Sequence, residues 1–301
     1  MVIHRTVLVL ILVVFMSMLA GCDGISNLAS TEPNDTTQVS AYADAQTQGA
    51  DLHSAFYGLD DAIPFLASYR ICSEFGHKDG MPVIFSAEVD LQTLQAGDFL
   101  VHLSDGTQVR PGCVTPAPAN DTGELRTILT IGDFGSVSNQ PKLVEITGNI
   151  ISMDGQLNFQ GSQVEVTALE DGPTLILAEI VPQAQWALGK EASGLPFGGG
   201  NGCPAGTVQM VRAVWTGGVT KPGGDEIDDV ERLAYRVVVA DENGVQSDVV
   251  PFAVADLGDG DNNHKLCLDV ATPAVRIEFP QGLMTDPRDD LNPATAVAVT
   301  R

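Results

Sequence analysis

From residue 67 onward the chain falls into short apolar runs broken by Gly, Pro, Asn and Asp. Val83, Phe85 and Ala87 alternate with Ile84, Ser86 and Glu88. Further runs follow at 101–103, 128–131, 143–147 and 164–167, separated by turn pairs such as Asp105-Gly106 and Asp154-Gly155. Alternation with period two marks half-buried strands, and closely spaced short strands mark a sandwich or barrel. No long amphipathic helix pattern interrupts them. Gly172-Pro173 reads as a boundary, after which strands are predicted at 174–181, 207–215, 233–240, 245–255, 265–270, 274–279 and 296–300. The fold class is therefore all-β, with β-sandwich domains over 67–172 and 173–301. No long internal repeat links the halves. Ahead of them, residues 22–66 combine a polar stretch with a spaced apolar set (Leu52, Phe56, Leu59, Ile63) that predicts a short helix. The polar stretch over 23–50 has little to bury and reads as a flexible tether with a reach of roughly 30 Å.

The first 21 residues have a different pattern. Arg5 precedes an apolar run over 7–16, and small residues lead to Cys22. A basic residue, a short apolar core and a small-residue cleavage site form a secretory signal. The run is too short to span a bilayer comfortably, which takes about 20 residues. Leu19-Ala20-Gly21-Cys22 resembles the lipobox of bacterial lipoproteins. That resemblance implies removal of residues 1–21, acylation of Cys22 and a lipid anchor at the extracytoplasmic face of the cell envelope. Asp23 directly after the cysteine implies inner-membrane retention where the Asp sorting rule applies; inner and outer membrane both stay open.

Charge narrows the partners. The chain carries a formal −24, and loss of residues 1–21 leaves 14 basic and 39 acidic side chains. Such a surface repels phosphate backbones, so nucleic acid is excluded as a natural partner. Metal cations, basic proteins and neutral sugars remain, and the expected partner beside the membrane is a glycan or a cell-envelope protein. Four cysteines stay after Cys22 is lipidated: Cys72, Cys113, Cys203 and Cys267. An even count in an exported chain suggests disulfides. Of the three pairings, Cys72–Cys113 with Cys203–Cys267 keeps each bond inside one domain and is preferred. The spacing lacks the Cys-x-x-Cys pairs of a zinc knuckle.

Residues 82–111 carry a second resemblance. Pro82-Val83-Ile84-Phe85-Ser86, Val89-Asp90, Thr93-Leu94, Asp98-Phe99 and Asp105-Gly106 resemble the bacterial Ig-like domains of surface-layer and adhesive proteins. The pattern reads as a strand, a one-turn helix capped by Asp90 and a second strand entered at Phe99. The resemblance implies an Ig-like sandwich serving as a spacer or binding module, without catalytic residues.

Candidate chemistry sits in three acidic loops of the second domain. Asp241-Glu242-Asn243-Gly244 is a strong hairpin signal, because Asn-Gly accepts positive φ. It pairs 233–240 with 245–255, and Ala271-Thr272-Pro273 reads as a second turn pairing 265–270 with 274–279. The loops at 217–232, 256–264 and 280–295 then share one end. Converging carboxylates repel unless a cation screens them. Oxygen ligands in Gly/Asn-rich loops suit calcium. The candidate ligands are Asp225, Glu226, Asp259, Asp261, Asn263 and Asp286. The plainer reading is solvated polar loops on an acidic protein. His264 is a candidate ligand or base, and otherwise a capping residue. Trp215 is a candidate sugar platform, and otherwise core. The chain lacks a Gly-x-Ser-x-Gly elbow, a His-Glu-x-x-His helix, a P-loop and a dinucleotide fingerprint. The Gly-rich stretch 198–202 has no Lys-Ser/Thr sequel, so it reads as a loop. No residue is assigned a catalytic role. The expected function is a membrane-anchored, extracytoplasmic binding or structural module, with calcium as a candidate cofactor. The alternative is a glycan-directed hydrolase using paired carboxylates of the domain-two loops.

Overall fold

The computed structural model describes residues 28–63, 72, 75–189 and 200–300. The signal sequence, Cys22, the start of the first predicted domain at residue 67 and part of the Gly-rich stretch lie outside them. Among the described residues, sixteen strands form two eight-stranded sheets. The first comprises β1 (Leu52–Phe56), β2 (Asp79–Phe85), β3 (Phe99–Leu103), β4 (Gln108–Val109), β5 (Cys113–Thr115), β6 (Thr127–Gly132), β7 (Pro141–Ile146) and β8 (Gln163–Thr167). The second comprises β9 (Leu175–Ile180), β10 (Gln209–Trp215), β11 (Arg236–Ala240), β12 (Gln246–Val249), β13 (Ala253–Ala255), β14 (Asn263–Leu268), β15 (Ala274–Phe279) and β16 (Thr295–Thr300).

Each sheet curls on itself, so that two four-stranded halves face each other as a sandwich. The order is β4-β3-β7-β8-β1-β2-β6-β5 in the first and β12-β11-β15-β16-β9-β10-β14-β13 in the second. Counted from its own first strand, each domain has the same order. The halves join through a parallel pair, β1 with β8 and β9 with β16. The repetition extends to the cores. Phe85 ends β2 and meets Phe99 edge-on at 6.2 Å; Trp215 ends β10 and meets Tyr235 edge-on at 6.5 Å. The repeat escapes a reading of the sequence because strand order depends on alternation and turns, which many side chains satisfy.

Local chemistry explains the elements. Asp90 accepts the Gln92 amide at 3.0 Å and caps the one-turn helix Leu91–Thr93, and the chain enters β3 at Phe99. Helix α1 (Asp229–Ala234) opens with a capping box: Asp228 accepts from Val230 at 2.9 Å, and Glu231 accepts from the Asp228 amide at 3.0 Å. The Asp241–Gly244 turn closes the β11–β12 hairpin, with the Asp241 amide bonded to Val245 at 3.1 Å. The disulfides are Cys72–Cys113 and Cys203–Cys267. In each domain one of them ties the connection after the first strand to the β5–β6 or β13–β14 edge.

Three expectations change. The apolar set Leu52, Phe56, Leu59 and Ile63 does not make a helix: β1 sits between β2 and β8, and its burial follows from having partners on both sides. The turn at 271–273 does not pair its flanking strands. It carries the chain from β14, beside β10, across the sandwich to β15, beside β11. The polar stretch is not a free tether from Ser30 onward. It runs along the first sandwich, through the Ser30–Val114 bridge, the Tyr42 hydroxyl on Asp90 at 2.9 Å and the Asn149 amide on Asp35 at 3.0 Å. Most of its side chains remain exposed, but several also satisfy backbone and loop groups of the sandwich.

Candidate functional site

The acidic loops of the second domain do meet. Thr220 and Thr285 exchange backbone bonds at 3.1 and 2.8 Å, the Val219 amide donates to Asp261 at 3.3 Å, and Gly258 donates its amide to Glu226. Much of the end they form is exposed, at 222–225, 228–230 and 287–289, but Asp256, Asp259 and Asp261 are buried. Beside these buried acids, an ionic cluster on the outer face of β9, β10 and β14 joins the two sandwiches.

Its base is a row across β9, β10 and β14. Arg212 pairs in register with Glu179 on one side and Lys265 on the other. Their neighbours Ala178, Val211, Ala213 and Leu266 point into the core, so alternation turns these three charged residues to the opposite face. The loop between β5 and β6 of the first domain covers that face. Arg212 donates to the carbonyls of Gly123 at 2.7 Å and Thr122 at 2.8 Å, and pairs with Glu179. Arg126 holds the same Glu179 at 3.1 Å. Gly123 is required twice: its φ is +88°, and a Cβ there would lie 2.3 Å from the Arg212 guanidinium.

Acids crowd the centre. The Lys265 ammonium lies 2.9 Å from Glu124 and 3.2 Å from Asp256, with all three buried. Carboxylate oxygens of Asp121, Glu124 and Asp256 lie within 4.8 Å of one another, and this buried triad could hold a metal ion. Two ligands of one calcium, each about 2.4 Å from it, can be that far apart. Asp256 is held with φ +69°, and its Oδ1 accepts no hydrogen bond. Around the triad, six acids (Glu179, Asp121, Glu124, Asp256, Asp259, Asp261) face three bases (Arg126, Arg212, Lys265). Burial opposes ionisation of Glu124, but its hydrogen bond with Asp256 and the Lys265 charge outweigh it and hold its carboxyl below the usual range. Burial, then the neighbouring Glu124 charge, pushes Asp256 up to about 9. Burial, then Asp259, pushes Asp261 well above its ordinary value. A divalent ion would replace protons on these groups with a compensating charge.

The residues chosen from sequence are divided. Asp259, Asp261 and Asn263 are buried beside the cluster, where Asp261 accepts the Asn263 amide at 2.7 Å and its side-chain amide at 2.9 Å. Asp286 is buried in its own turn, accepting from Arg288 at 2.9 Å and Asp290 at 3.0 Å. Glu226 is half-buried and raised by that burial. Asp225 is exposed, and its carbonyl closes a turn with Lys221 at 3.0 Å. Sequence reasoning missed Asp121 and Glu124, because they lie in the first domain. Asp256 lay in the acidic run but outside the Asp-x-Asp-x-Asn spacing.

Trp215 and His264 belong to the core. The Trp215 indole donates to the Tyr235 hydroxyl at 2.9 Å, which meets His264 Nδ1 at 2.7 Å. Burial lowers His264 to about 3, so it stays neutral. No helix among the described residues is long and apolar enough to cross a membrane.

No family model matches the chain, and no curated protein matches it. Among solved structures, it is similar to the surface layer protein SbsC, domains 1–6, at 14% identity, with a TM-score of 0.18. The match covers 81% of this chain and 43% of that one, so the chain spans less than half its length. At that TM-score the likeness carries no argument about fold or function.

Proposed function

We propose that this chain is an extracytoplasmic binding or structural module, held at the cell envelope by a lipid on Cys22, whose two sandwiches are fixed against each other by calcium. The observation that carries the calcium reading is the Asp121–Glu124–Asp256 triad. It is buried, draws on both domains and contains more acid than Lys265 neutralises. Hard carboxylate oxygens without sulfur or imidazole suit calcium better than zinc. Two disulfides support a compartment outside the cytoplasm. Glu124 and Asp256 are buried and bridged by Lys265 between the domains, which favours an interface role for them. The partners are the membrane, through the lipid, and a glycan or envelope protein.

Titration calorimetry of the purified full chain with calcium and with magnesium tests the calcium reading. Saturable calcium binding near one equivalent, lost in both Glu124→Gln and Asp256→Asn, is expected. Absence of calcium heat in chelator-stripped protein contradicts it. Intact mass and detergent partitioning of the native protein test the anchor: the chain should begin at acylated Cys22, and a water-soluble product beginning elsewhere rules the anchor out.

A further inference from the structure

The two domains face each other reciprocally. Their equivalent strands β1 and β9 touch. The β5–β6 loop of the first domain covers the outer face of β9, β10 and β14, and the β13–β14 loop of the second faces the outer side of β2 and β6. Such mutual contact has the character of a twofold pairing, but its halves are chemically unlike. Where the second domain pairs Arg212 with Lys265, the first pairs Pro82 with Leu129 at the equivalent register. On the charged half, residues 121–126 fill the face. On the apolar half, the opposing chain offers Gly217, Gly218 and Gly260, which project no side chain. The result is a cavity of about 360 Å³ between the domains, walled by groups such as Phe56, Leu59, Leu129 and Ile131. Gly217 is confined to glycine by Phe56, whose ring would lie 2.7 Å from an added Cβ.

We infer that this interdomain cavity is a binding site for a small hydrophobic ring compound without negative charge. A site of this volume at a domain interface, mainly apolar with a few polar groups at one end, has the make-up of a ligand pocket. An apolar cavity of about 150 Å³ holds one benzene ring, so this one accommodates a two-ring system. Its polar end is formed by Asp261 and Asn262, next to Asp259, in a chain of formal charge −24. The lining offers no basic side chain to an anion, in a chain of strong net negative charge, so neutral ring compounds are favoured over fatty acids and aryl sulfonates. The cavity shares no lining residue with the Asp121–Glu124–Asp256 triad, although Asp261 stands near both, so probe binding is measured in chelator and is distinguishable from calcium binding.

The test uses two fluorescent probes of nearly the same shape: neutral N-phenyl-1-naphthylamine and its anionic 8-sulfonate. The full chain should bind the neutral probe saturably, one per chain, with a dissociation constant on the order of 10 µM. The sulfonate should bind at least tenfold more weakly. Leu129 and Pro287 line the cavity from different domains, and Leu129→Trp and Pro287→Trp should each weaken neutral-probe binding at least tenfold. Pro287 is exposed, so Pro287→Trp decides the matter if Leu129→Trp fails to fold. Non-saturable binding, equal affinity for both probes, or unchanged affinity in folded Pro287→Trp overturns the inference.

Discussion

Lys265 and Gly123 show how single residues hold the interface. Lys265 is a buried cation among carboxylates, and removing one partner of a buried pair leaves the others uncompensated. Lys265→Met should therefore cost about 3 kcal/mol or more without calcium. Added calcium should raise its melting temperature more than that of the wild type, because the ion then supplies the missing charge; an equal rise would show that no cation replaces the lysine. Gly123→Ala forces a left-handed conformation, at about 1–2 kcal/mol, and drives a Cβ into Arg212. Gly106→Ala has a similar φ, +90°, with nothing within 4 Å, and serves as the reference. Denaturant unfolding should rank Gly123→Ala clearly below Gly106→Ala; equal losses would mean that the Arg212 contact contributes little. Asp98 has its own signature. Burial, then the Asp35 charge, raises it from 3.8 to about 7. The native state thus binds more protons than the unfolded state between these values, so this group makes stability fall as pH rises from about 4 to 7. In Asp98→Asn that slope should flatten in urea melts across the same range; an unchanged slope would place its origin elsewhere. Little of this was legible residue by residue. An acidic run announces itself, but whether its partner is water, lysine or a loop more than a hundred residues away does not.

At the level of elements, alternation and turn chemistry carried furthest where contacts are local. The Asp90-capped turn, the entry to β3 and the Asp241–Gly244 hairpin all follow from residues within a few positions of one another. Segments whose partners are distant read poorly. Pro273 signals a turn, but a hairpin and an arch across a sandwich use similar residues, and only the neighbours of β14 and β15 distinguish them. Residues 52–56 have helix-compatible spacing and become a strand because strands on both sides supply hydrogen bonds. The disulfides act at this scale too. They close spans of 41 and 64 residues, each tying the connection after a first strand to the sheet edge. Chain entropy alone assigns about 4 kcal/mol to each. Replacing Cys72 and Cys113 together by alanine should lower the stability measured in denaturant by a comparable amount; a loss near zero would mean that the first sandwich does not depend on its clasp.

For the whole molecule, the two sandwiches share one strand order and meet through equivalent loops, yet differ in what they bring to the contact. One half of the interface is ionic and filled, the other apolar and hollow. The sequence betrays the acidity but not the pairing, because Glu124 and Asp256 come together only once both domains are folded and docked. The proposed cation at this contact would make the two sandwiches one unit. Differential scanning calorimetry of the full chain at fixed ionic strength tests it most directly, in calcium and in chelator. At a calcium concentration 100 times the dissociation constant, mass action adds about 2.7 kcal/mol, which raises the midpoint by about 5 °C for a chain of this size. One cooperative transition is expected in calcium, and in chelator a lower transition that resolves into two. Superimposable traces in calcium and chelator would contradict it.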